Sequence, residues 1–161
     1  MKINLEKVEA SSLEIEKIVQ EVVDKYTDDL DVYMLKIKNV LEDSSDELTS
    51  QDLNQILIRL TSYSYFLGTK LEIAGIRADV SEAVRVEKYN ETYLSASNGT
   101  VAYKQSKAEE SAKEEKVVAL VYSRVYKILK AKCSACEKLA DAIKKVMSIR
   151  IAEMGLGTKV S

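Results

Sequence analysis

The chain has no proline, no tryptophan and no histidine, and only one phenylalanine, two cysteines and five glycines among 161 residues. Without proline, no long apolar pattern is forced to break or kink. Without histidine, the commonest general acid or base near neutral pH is missing, and with it Ser-His and Cys-His nucleophile pairs and imidazole metal sites. The carboxylates Asp79, Glu82, Asp141 and Glu153 show no paired spacing that names a catalytic couple. We therefore expect no enzyme, no catalytic residue, no metal and no cofactor. No run approaches the ~18 apolar residues of a membrane span. The opening MKINLEKVEASS lacks the apolar heart of a signal peptide. Cys133 and Cys136 are too few for a secreted disulfide framework. A soluble protein of the cytoplasm, with no membrane partner, is the expectation.

What remains is Glu, Lys, Ala, Leu, Val and Ser, the mixture of long helices. The length fits one domain. Ser11 with Glu14 matches the Ser-x-x-Glu box that opens a helix. Apolar residues then recur three or four apart from Ile15 to Leu41, with Thr27-Asp28-Asp29 as a candidate break. Residues 42–47 carry no apolar position and read as a loop. Thr49 or Ser50 can cap the next helix, with Asp52 near its positive end. Its seam runs through Leu53, Ile56, Leu60, Tyr63, Leu67, Leu71, Ala74 and Ala78. Gly68 and Gly75, seven apart, suggest a backbone approaching closely.

That pattern stops at Ser95-Ala96-Ser97-Asn98-Gly99, where Asn-Gly supplies the backbone freedom a reversal needs, and Thr100 can cap the helix after it. From there little interrupts a helix until Gly155-Leu156-Gly157. Some fifty residues would run roughly 75–80 Å. The expected fold is all-α: an acidic N-terminal segment of shorter helices at 1–48, then a long antiparallel helical hairpin at 49–157 turning at 95–100, in an oligomeric bundle. A stripe of Val118, Tyr122, Val125, Leu129, Cys136, Ala140, Ile143 and Met147 is the expected coiled-coil-like homo-oligomer interface, because so wide a face exceeds what one thin chain covers.

Charge is divided along the chain. Residues 1–50 hold six Lys/Arg against thirteen Asp/Glu, a net of −7, whereas residues 101–161 hold thirteen against seven, a net of +6. Residues 116–150 carry nine cations against two carboxylates. Cations supply most non-specific nucleic-acid affinity, and aromatic rings stack on unpaired bases. Tyr122 and Tyr126 lie among Arg124, Lys127 and Lys130 but also on the apolar stripe. Tyr89, Tyr93 and Tyr103 flank the turn beside Arg85, Lys88, Lys104 and Lys107. Either those rings stack on a single strand or they close the tip of the hairpin. Cys133-x-x-Cys136 lacks the second pair of a zinc site and falls within a helical pattern, which favours two small core residues over a metal shared between subunits. The Glu109-Glu110 and Glu114-Glu115 pairs, interleaved with lysines, read as a solvated helix face.

Arg85-Val86-Glu87-Lys88-Tyr89, followed by Tyr93, Gly99 and a long helix through Ala140-Asp141-Ala142-Ile143-Lys144, resembles the UvsY-type recombination mediators of tailed bacteriophages over about residues 60–154. Those proteins are small, all-helical, ring-forming binders of single-stranded DNA that help load a RecA-like recombinase. The family's two tyrosines are adjacent, whereas Tyr89 and Tyr93 are four apart, and the acidic N-terminal helices have no counterpart. The resemblance implies phosphate contacts by Arg85 and Lys88, assembly through the C-terminal helix, and a place in the host cytoplasm. The competing expectation is a helical virion, assembly or host-factor-binding protein, in which acidic N-terminal helices meet a basic helix and no nucleic acid is bound.

Overall fold

The computed structural model describes residues 5–44 and 48–157. Four helices follow one another: α1 (Leu5–Ser44), α2 (Ser50–Ser95), α3 (Val101–Ser111) and α4 (Lys113–Gly157), with no strand among the described residues. None of them is long and apolar enough to cross a membrane. The all-α expectation stands. The N-terminal segment is not a set of shorter helices, however, but one helix of 40 residues.

Two differences in α1 have local causes. The helix starts before Ser11, so that residue lies inside it rather than at its cap. The helix also passes through Thr27 unbroken. Thr27 is buried, and its hydroxyl donates to Asp31 Oδ2 at 2.8 Å while accepting from Lys132 Nζ at 3.0 Å. A polar group satisfied by its own helix and by α4 does not compete for the backbone. Of the expected loop at 42–47, residues 42–44 are helical and 45–47 lie outside the described residues. α4 runs to Gly157, the last described residue, within the Gly155-Leu156-Gly157 stretch up to which the sequence offers little to stop a helix.

The start of α2 follows the sequence closely. Thr49 Oγ1 accepts from the Asp52 N–H at 3.2 Å, and Asp52 Oδ2 accepts from the Thr49 N–H at 2.9 Å, a reciprocal capping box. The helix ends at Ser95, and Gly99 adopts φ +145°. A side chain there would be strained, and its Cβ would fall 2.5 Å from the Tyr103 ring. Thr100 caps α3 by accepting from the Tyr103 N–H at 3.3 Å. One unforeseen interruption separates α3 from α4 at Ala112. Ser111 Oγ lies 3.1 Å from the Ala108 carbonyl and 2.7 Å from Thr92 Oγ1, and such back-bonding by serine bends helices.

The chain divides into two compact units, Met1–Lys25 with Lys70–Ile128, and Tyr26–Thr69 with Leu129–Ser161. The first unit is cored by small side chains: Val19, Val23, Ala74, Ala108, Ala112, Ala119, Val121 and Val125 are all buried. Within it, Thr92 meets Ser111 and Gly75 meets Tyr126, so the numbers rise on one side as they fall on the other. The Tyr126 Cε2 atom lies 3.3 Å from where a Cβ on Gly75 would stand. An aromatic ring, not a backbone, therefore explains that glycine, and Gly68 has nothing within 4 Å.

The second unit is cored by larger residues. Ile37, Leu53, Leu60 and Ile143 form one cluster, with Tyr33, Met34, Ile56, Leu139 and Met147 packed against it. Polar links tie its helices together. Lys132 is ion-paired with Asp31, and Arg150 donates to the Leu48 carbonyl at 2.5 Å. The Arg59 guanidinium lies 5.8 Å over the Tyr33 ring, which in turn packs on Tyr63 at 5.3 Å. Burial pushes the Tyr33 hydroxyl above its ordinary value, with Arg59 opposing.

Candidate nucleic-acid interface

The candidate site belongs to the first unit, where the end of α2, the turn and α3 meet. Tyr89 and Tyr93, one helical turn apart, stack at 6.2 Å with planes 11° from parallel. Both are half-buried. Tyr103 is 54% exposed and lies against Gly99, whose bare backbone leaves room for the ring. Lys88 and Lys107 are exposed, and Lys104 is half-buried.

Arg85 is differently placed. Its Nε and Nη2 donate to the two carboxylate oxygens of Glu82 at 2.8 and 2.6 Å. That fork holds the Glu82 carboxyl below its ordinary range, the hydrogen bond from Arg85 being the main cause. A groove of about 310 Å³ is lined by Arg85, Val86, Tyr89, Glu109, Ala112 and Lys116. A neighbouring groove of about 670 Å³ runs past Asp79, Glu82, Arg85, Lys116 and Leu120. Lys116, part of the basic count but not among the expected site residues, therefore faces the same space as Arg85. The grooves are mixed in charge, with carboxylates of Asp79, Glu82 and Glu109 beside the cations.

The remaining expected cations are elsewhere. Arg124 lines a groove of about 510 Å³ with Ile15, Glu16 and Val19 of α1. Lys127 is exposed, eleven residues further along α4 than Lys116, or about 16 Å of helix. Lys130 belongs to the second unit. Part of the positive charge of α4 is already answered inside the chain, since Lys132 meets Asp31.

The stripe assigned to a second subunit is largely occupied by the chain itself. Val125, Leu129, Cys136, Ala140 and Ile143 are buried, Tyr122 and Met147 are half-buried, and Val118 alone is well exposed. This burial has a physical reason. α1 is a full-length third helix rather than short pieces, and it supplies buried Val19, Val23, Leu30 and Ile37 against which such a face can be covered. Of the four helices α2 leaves the most large apolar residues in water, among them Ile58, Tyr65, Phe66, Ile73, Ile76, Val80 and Val84. The expectation from sequence covered only the inner seam of that helix.

Cys136 is buried and Cys133 half-buried, and both are free thiols. Burial raises both above the ordinary thiol value, with Glu137 adding to the effect on Cys133. Among the described residues no group of three or more Cys, Asp or Glu is placed to hold a metal ion. Compared with protein-family models, curated proteins and solved structures, the chain matches none. A functional reading therefore rests on the residues of this chain.

Proposed function

We propose that the protein binds single-stranded DNA through the turn end of its first unit, as a self-associating helical hairpin that serves as a phage recombination or replication mediator. The observation that carries the reading is that Tyr89 and Lys116 line one groove with Arg85, while the stacked Tyr89 and Tyr93, the exposed Tyr103 and Lys88, Lys104 and Lys107 all fall between residues 88 and 107, on either side of the turn. Tyr103 offers a ring face to a base, and the lysines offer phosphate contacts without a competing fork. The Glu82 fork takes two of the five N–H donors of Arg85 and answers its charge, which weakens Arg85 as a phosphate contact. Assistance to a RecA-like recombinase follows from the resemblance alone.

The test is fluorescence anisotropy with a labelled 30-mer across a salt series. Four phosphate contacts on a single strand give a slope of about −3 in log affinity against log salt. Tyr103→Ala is expected to cost about 1–3 kcal/mol of binding. Glu82→Gln is expected to tighten binding by freeing Arg85. Absence of binding at about 50 mM salt, or affinity indifferent to salt, defeats the proposal.

A second reading, a helical interaction protein without nucleic acid, is favoured by the apolar residues exposed on α2. It predicts assembly in solution with no affinity for the oligonucleotide at any salt concentration.

A further inference from the structure

Residues 70–86 of α2, all within the first unit, present two different faces. The inner face is buried or half-buried at Ala74, Ala78, Ser81 and Arg85. The outer face exposes Ile73 (42%), Ile76 (61%), Val80 (56%) and Val84 (47%). Ile73, Ile76, Val80 and Ala83 are spaced three, four and three apart, which are the a, d, a and d positions of a heptad seam. A surface helix of a self-contained bundle normally carries polar residues on that side.

Along residues 70–79 the flanks of the seam are charged and the signs are sorted, whereas Val84 and Val86 continue the same two flanks without charge. In this register Glu72 and Asp79 fall at g, on one border, and Lys70 and Arg77 fall at e, on the other. In a parallel pair of helices, each g residue faces the e residue five positions later on the partner. Glu72 would then face Arg77 of a second copy, and the two-fold axis would repeat the pair. An antiparallel pair sets g against g and e against e, placing acid on acid and base on base. The pattern is complementary to itself in one orientation only.

We propose that this face of α2 is the interface with a second copy of the chain, packed parallel and in register about a two-fold axis. The assignment rests on the self-association part of the function proposed above and is independent of its nucleic-acid part. It moves the contact between copies from the α4 stripe, which the chain largely covers itself, to α2. The seam is short, so the dimer is concentration-dependent rather than permanent.

Sedimentation equilibrium from micromolar to millimolar protein, without oligonucleotide, tests it. The wild type is expected to exchange between monomer and dimer. Ile76→Asp should weaken association by more than about 30-fold, since it places an unpaired charge at the centre of the seam. Glu72→Arg alone and Arg77→Glu alone should each weaken it by about tenfold through like-charge contacts. The double variant E72R/R77E should restore it, a rescue that no loss of folding can imitate. Ala83→Cys should form a disulfide between copies, because d positions of a parallel pair bring Cα atoms within about 7 Å. A chain that stays monomeric throughout overturns the proposal. So does an assembly indifferent to Ile76→Asp, which leaves self-association standing but on another surface. A dimer that neither links through Ala83→Cys nor recovers in the double variant is not parallel, and that also overturns it. Whether the protein binds the oligonucleotide has no bearing on these outcomes.

Discussion

The two units share α1, α2 and α4, with α3 belonging to the first alone, but they bury different side chains. In the second, Leu30, Ile37, Leu53, Leu60, Leu67, Leu129 and Ile143 are buried, and ionic and aromatic links join the helices. In the first, the buried set is valine and alanine, and three grooves of about 310, 670 and 510 Å³ border it. Small side chains bury less apolar area per residue, so each contact stabilises less. The candidate binding residues and the exposed α2 seam both belong to the alanine-cored unit. Core size thus predicts that the second unit is the firmer of the two.

The sharpest way to break that comparison is to truncate one fully buried residue in each. Leu60→Ala in the second unit is expected to cost about 3–5 kcal/mol, the transfer term plus a cavity among large neighbours. Val125→Ala in the first removes only two carbons and should cost about 2 kcal/mol. Native-state amide exchange gives the same contrast within a single helix. Residues 53–67 of α2 should open at higher free energy than residues 74–92. Equal costs, or a reversed order of exchange, would show that core size does not set where the molecule is firm.

The glycines of α2 give a smaller and cleaner test. Gly68 meets nothing within 4 Å, so Gly68→Ala gains helix propensity without a clash. About 0.8–1 kcal/mol of stabilisation is expected, read as a rise of roughly 2–4 °C in Tm. At Gly75 the added methyl meets the Tyr126 ring at 3.3 Å, and moving a half-buried ring cancels most of the gain. Gly75→Ala should therefore be close to neutral. A clear stabilisation at Gly75 would mean that Tyr126 is not held where the packing places it.

The features legible in the sequence were the ones decided locally. The Thr49–Asp52 box, the inner seam of α2, the reversal at Gly99 and the Thr100 cap depend on residues within a few positions of one another. The features that were not legible depended on distant partners. Thr27-Asp28-Asp29 looked like a break because the lysine that satisfies Thr27 lies 105 residues away. The glycines pointed to a backbone neighbour when one faced a ring and the other open space. The α4 stripe looked like a subunit interface because its width exceeded what one thin chain was expected to cover, yet most of it is buried within the chain. The outer heptad of α2 was different in kind. Its apolar spacing and its sorted charges were present in the sequence, but a single seam had already accounted for the helix.

The two capped helix starts differ in one respect that acid should expose. At α2 the box is reciprocal, and Asp52 accepts from both the hydroxyl and the N–H of Thr49. Those bonds hold the Asp52 carboxyl below its ordinary value of 3.8. A carboxylate depressed by folding contributes stability that is fully present above the unfolded value and is lost as pH falls through the folded one. At α3 the residue three after the cap is Tyr103, so Thr100 donates no bond to a carboxylate there. Lowering the pH below 3.8 should therefore fray the first turn of α2, followed as faster exchange of the Asp52 and Leu53 amides. Asp52→Asn removes the titrating group, so in that variant the acid step at these amides should vanish. The Tyr103 amide should show no matching step in either protein. If wild type and variant fray alike as pH falls, the carboxylate is not what fastens the start of α2, and that end is held by packing and by the Arg150–Leu48 bond instead.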